Sequence, residues 1–267
     1  MGAAHRTYIY NAHGHALSGQ IFRPLQHLID VQAAASLPTI GGHGRARVDN
    51  FQFQDIISFK SAYTYVSGSH DRENDSHTTL VTAVVEGLNI LDVVTADRVV
   101  ARLSSQHPPK QDEPSILLLG SKFENLRITG CPVDVELDFE GFAKLDTFEA
   151  MRNEFKTNDK FRKIAEDPYQ TGKPRKLPEL HEVLVCSLVK NMSTTCSGAK
   201  RVGHAFIVPQ FGKIFVAEIL AKHGTRTLTM LRLELGSPTS GIVTVAEAQG
   251  NGQPAPPMPG GSGGGGG

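Results

Sequence analysis

Apolar and polar positions alternate most regularly toward the C-terminal end of the chain. Lys213–Ala221 and Arg226–Leu235 are runs rich in Ile, Leu, Val and Thr, separated by Lys222-His-Gly-Thr225. Apolar runs on both sides of a short Gly-bearing turn are the sequence form of an antiparallel hairpin. Gly224 is the residue placed to take the positive φ of that turn, with 213–221 paired to 227–235. The same grammar recurs at Thr7–Phe22, Val48–Phe53, Ile56–Gly68, Ile116–Leu119, Asn125–Thr129 and Val183–Val189. Thr78–Leu103 is apolar with ambiguous period. Its Thr, Val and Ile content favours two or three short buried strands over a helix, with breaks at Gly87 and at Val94–Arg98.

One stretch changes period. Asp146-Thr-Phe-Glu149 has the form of a capping box, and Phe148, Met151 and Phe155 fall on one helical face. The reading is therefore an all-β chain: an antiparallel sandwich or barrel-like body, residues 1–248, with a helical insertion at 142–182 whose helix lies near 143–166. Residues 249–267 are Pro/Gly-rich and read as a disordered tail, either native or an expression linker.

Composition narrows the function classes. The 267 residues carry 27 basic and 27 acidic side chains, so no net charge draws the chain to nucleic acid. The clusters Lys173–Lys176 and Lys200-Arg201 lack the interleaved aromatics of a nucleic-acid groove. There is no Trp, which disfavours a sugar-stacking platform. No run is long enough for a membrane-spanning helix, and Met1–Asn11 lacks the apolar core of a signal peptide, so the sequence reads as soluble. Gly41-Gly-His-Gly44 has no P-loop Lys and no following helix, and no motif calls for a cofactor.

Candidate chemistry is sparse. His13 and His15 share one face of an extended run and could begin a metal site, with His5, His43, His70 and His77 as further donors. Asp134, Glu136, Asp138 and Glu140 alternate along Val133–Glu140. They could bind calcium or another ligand, or serve as a glycosidase pair, but a solvated strand face gives the same pattern. Three cysteines, Cys131, Cys186 and Cys196, make no disulfide framework, although a Cys186–Cys196 bridge stays open. Neither of these two sits in a catalytic motif with His181 or His204.

Three segments, Val85–Arg98, Glu124–Pro132 and Gly212–Leu235, resemble in order and spacing the strand motifs of the bacterial choice-of-anchor P proteins. That resemblance implies an extracellular or cell-surface protein and brings no catalytic residues with it. The expectation is a non-enzymatic structural or interaction protein that self-associates through strand edges, with the terminal strands 7–10 and 242–245 as candidate edges. The alternative is a carbohydrate-binding module or polysaccharide-active enzyme that meets a surface glycan at 134–140. A third reading, a toxin-like protein acting at membranes, lacks an aromatic or basic interface belt.

Overall fold

A computed structural model describes residues 8–108, 111, 113–169 and 183–254. The basic linker, His5, His181 and the Gly-rich end lie outside the described residues. The chain begins with β1 (Tyr8–Arg23), β2 (His27–Gln32) and β3 (Ala35–Ser36). Four long strands follow, β4 (Gly42–Phe53), β5 (Ile57–Asp71), β6 (Ser76–Ile90) and β7 (Val94–His107). Short strands β8 (Ser115–Leu117), β9 (Lys122–Glu124) and β10 (Arg127–Ile128) lead to β11 (Cys131–Leu137). The insertion holds α1 (Phe139–Ala143), α2 (Phe148–Thr157), α3 (Asp159–Glu166) and a 3-10 turn, Asp167–Tyr169. Then come β12 (Leu184–Ser187), β13 (Val189–Thr194), β14 (Lys200–Val202), β15 (Ala205–Val208), β16 (Gly212–Lys222), β17 (Thr225–Leu235) and β18 (Ser240–Pro254).

The strands form two antiparallel sheets packed face to face. The first runs β14-β15-β16-β17-β18-β1-β2, with β12 on β16 and β3 on β1. The second runs β13-β11-β10-β7-β6-β5-β4, with β8 and β9 on β7. Leu17, Leu228 and Val245 of the first sheet and Val81 and Leu103 of the second are fully buried in the single core. On one side the chain passes directly from β12 in the first sheet to β13 in the second through buried Leu188, which closes the sandwich like a barrel wall. On the other side β2 and β4 are open edges, touching where the His27 ring lies 4.8 Å from Phe53.

The β16–β17 hairpin pairs Lys222 with Thr225, leaving His223-Gly224 as a two-residue turn with Gly224 at φ +69°. The helix of the insertion is capped by Thr147, one residue later than the capping-box pattern suggests, because Asp146 instead accepts from Ser115 Oγ at 2.6 Å. Phe148 and Met151 face the core as the spacing predicts.

Three expectations are corrected. Residues 78–103 hold two long strands, β6 and β7, and the break falls at Leu91–Val93; Val94–Arg98 is strand. Gly87, at φ +65°, marks a point within β6 where pairing is skipped on both sides with the register unchanged. The second correction concerns Gly250–Pro254, which continue β18 against β1, so the ordered strand outruns the expected boundary at 248. Finally, Ile242–Val245 lies in the middle of a sheet, between β17 and β1, and cannot be an edge.

Candidate functional site

The outer face of the first sheet is organised by one line of skipped pairs, across which the register is unbroken. The pairing skips Ala16, Ala246, Met230 and Ala217 on four successive strands, and Ala217 and Ala246 have positive φ. At that line each strand changes which parity faces the core. Residues three apart, rather than two, therefore share the outer face: His15 with Ser18, Thr244 with Glu247, Thr229 with Arg232, and Phe215 with Glu218. A polar crease results, and the two halves of the sheet treat it differently.

Over β15–β17 the insertion roofs the crease. Arg232 grips Glu218 with both arms, Nε to Oε1 at 2.8 Å and Nη2 to Oε2 at 3.0 Å, and its guanidinium sits 3.7 Å from the Phe215 ring centre. The Tyr169 hydroxyl donates to Glu218 and accepts from Arg232 at 2.8 Å. His204, fully buried, donates from Nδ1 to the Ile164 carbonyl at 2.8 Å, and its Nε2 lies 3.2 Å from Glu218 Oε2. Burial opposes the Glu218 charge, but bonds from His204, Arg232 and Tyr169 outweigh it and hold the carboxyl at about 2. Burial, reinforced by the Glu218 charge, raises the Tyr169 phenol, so it remains a donor. Every charged group here is satisfied within the protein, as a structural clasp requires. Nearby, buried Arg226 donates to the carbonyls of Ile116 and Leu145 and pins the base of the insertion.

Over β18, β1 and β2 none of the described residues roofs the crease. His15 Nε2 lies 3.0 Å from Ser18 Oγ, which is 2.7 Å from Thr244 Oγ1, and His15 Nδ1 is 3.8 Å from Glu247. Burial lowers His15, partly countered by Glu247. His13 shares this face as its spacing predicts, but no cluster of three or more metal-ligating residues occurs among the described residues. Farther along the same face Ile242, Gln20 and Leu28 stand side by side across three strands. Leu25, Leu28, Val31 and Phe22 are 79%, 68%, 54% and 45% exposed, which makes the β2 end the most apolar surface on the open side.

The acidic residues of β11 do not converge. Asp134 and Glu136 line an open groove of about 550 Å³ with Asn125, Asn191 and Ser193, and Glu136 is bridged to Lys190 at 2.8 Å. Asp138 has left the strand. It caps α1, accepting from Gly141 N at 3.0 Å, and Glu140 lies inside that helix. The expected stripe thus ends at Glu136, and a calcium site built on Asp134, Glu136 and Asp138 is not assembled, because Asp138 is committed to a helix N-terminus. Cys186 is buried with Sγ 3.5 Å from Met151 Sδ, and burial pushes its thiol up to about 12. Cys196 sits beside Thr129, so the Cys186–Cys196 bridge is excluded by position.

A family model described as a domain of unknown function, DUF8256, matches residues 8–176 and 149–222. The chain belongs to this family. The matched span includes β1 to β16 and the described insertion, hence Tyr169, His204 and Glu218 of the roofed cluster. No curated protein and no solved structure matches the chain. None of these comparisons links the chain to the choice-of-anchor P proteins.

Sequence reading did not find the roofed cluster. Its one local signal was charge inside apolar strands: Glu218 within Ile214–Leu220, and Arg226 and Arg232 around Leu228–Leu231. A buried strand carries such residues only when long-range partners meet them.

Proposed function

We propose that this chain is a non-enzymatic interaction protein that associates with a second copy of itself through the edge strand β2. The observation that carries the reading is the contrast in how the edge strands β2 and β4 are protected. The exposed side chains of β4 include Arg45, Arg47 and Asp49, charges that discourage strand addition. Around β2 the exposed side chains include the apolar Phe22, Leu25, Leu28 and Val31 beside Arg23, His27 and Asp30, and the strand itself carries no Lys or Arg. An antiparallel β2–β2 pairing about a two-fold axis would extend the first sheet across both copies and cover these side chains. The resemblance to choice-of-anchor P proteins supports placing such an assembly outside the bacterial cell.

A second reading has its own observation. The groove beside β11 offers carboxylates and amides, Asp134, Glu136, Asn125 and Asn191, with Phe123 its one ring. Such a lining suits the hydroxyls of a glycan, bound without hydrolysis. Light scattering on the eluting protein separates the two readings. Self-association that Leu25→Lys with Leu28→Lys removes supports the first. A monomer retained on a glycan array, and released by Asn125→Ala with Asn191→Ala, supports the second.

A further inference from the structure

The β11–β13 ladder pairs Val133 with Thr194, Asp134 with Ser193 and Val135 with Met192. Continued by two residues, the same register sets Cys131 opposite Cys196. The Thr194 hydroxyl donates to the Pro132 carbonyl at 2.9 Å, which holds the two segments together at that end. Directly opposed residues of an antiparallel pair have Cα atoms about 4.5–5.5 Å apart, inside the range of about 4.4–6.8 Å that a disulfide needs. Both thiols are partly exposed, unlike that of Cys186. A third segment closes on them. Ile128 pairs with Cys131 across the turn Thr129-Gly130, and Thr129 Oγ1 lies 2.7 Å from Cys196 Sγ.

We propose that Cys131 and Cys196 are a redox-sensitive pair that closes, by exchange with a low-molecular-weight disulfide, into a reversible clasp joining the β10–β11 turn to the end of β13. The loop it would close contains the whole helical insertion, and Pro132 and Ser193 beside it line the groove. Oxidation would therefore brace one groove wall and tether both ends of the insertion.

The two sulfurs have different roles. The Thr129 hydroxyl and the backbone N–H of Gly198 favour the thiolate of Cys196 and lower its pKa, whereas the neighbouring Cys196 thiol raises that of Cys131. Cys196, its proton released to solvent, attacks one sulfur of the external disulfide. That S–S bond breaks, one thiolate departs and takes up a proton, and Cys196 carries a mixed disulfide. Cys131 then loses its proton and attacks Cys196 Sγ, expelling the second external thiolate. Two protein thiols are oxidised and one external disulfide is reduced to two thiols.

This inference does not depend on self-association. The test is to incubate the folded chain with oxidised glutathione, alkylate the remaining thiols and map the peptides. The expected result is one internal bridge, Cys131–Cys196, with Cys186 alkylated only after unfolding. Reduction should reverse the bridge, and the oxidised form should melt several degrees higher. Cys186→Ser should bridge as readily as the parent, and Cys131→Ser should stop at a glutathione adduct on Cys196. A bridge containing Cys186, lasting adducts on both cysteines without an internal bond, or three freely alkylated thiols would each overturn the proposal.

Discussion

The two halves of the first sheet's outer face start from the same line of skipped pairs and end differently. Over β16 and β17 the helical insertion descends, and Glu218, Arg232, Tyr169 and His204 satisfy one another. Over β1 and β2 the described residues provide no roof, and leucine and phenylalanine stand in water beside an unpaired edge. Burial of polar groups in the first half makes them structural; exposure of apolar groups in the second makes them available to a partner. Substitution should therefore act on stability in the first half and on association in the second.

The largest effect should come from the roofed half. Glu218→Gln leaves the Arg232 guanidinium with only the more exposed Glu234 carboxylate, 2.7 Å away, and should lower stability by about 2 kcal/mol in urea unfolding, less than the about 3–5 of a buried charge left wholly unpaired. Acid makes the same test without mutation. The folded pKa of Glu218, about 2, lies below its ordinary 4.5, so its contribution is complete above pH 4.5 and is lost as pH falls from there toward 2. Parent and Glu218→Gln should converge across that window. Parallel curves would mean that the cluster is not the clasp described.

Gly224→Val should cost less, roughly 1 kcal/mol or more, because valine is strained at φ +69°. Space is not the obstacle, since a Cβ there meets nothing closer than 3.8 Å. A melting curve that did not move would count against this two-residue turn, and association through β2 should be unaffected in either case.

That hairpin was legible because one turn and two local runs specify it. The lines of skipped pairs were not. Gly87 in β6, like Ala217 and Ala246 in the first sheet, has positive φ and marks where the residues facing the core switch, so Thr78–Leu103 shows no clean alternation although it is strand nearly throughout. Strand order was hidden for a different reason. Nothing local to Ile242–Val245 records that β1 and β17 flank it. The roofed cluster joins Tyr169 and His204 to Glu218 and Arg232, and only the fold brings the insertion onto those strands. Asp138 was misplaced because strict alternation continues through Val133–Glu140 while the backbone has already turned into a helix.

The smallest effects belong to the residues that spacing alone singled out. Asp134→Asn with Glu136→Gln should change stability by no more than about 0.5 kcal/mol, since both side chains lie on an open surface. His13→Ala with His15→Ala should leave association intact. Burial holds His15 and His77 below the ordinary histidine value, so each contributes above about pH 6.5 and loses that contribution as pH falls below it. His15→Ala should accordingly soften the decline in melting temperature just below pH 6.5. An unchanged slope would show that its burial is not coupled to folding.

Sedimentation equilibrium of the parent chain beside Leu25→Lys with Leu28→Lys tests self-association through β2 most directly. The account predicts that the parent's average mass rises with concentration from 28.8 kDa toward twice that value, while the variant stays monomeric with an unchanged melting curve. A parent that stays monomeric at its highest soluble concentration, or a folded variant that associates as strongly as the parent, would contradict it.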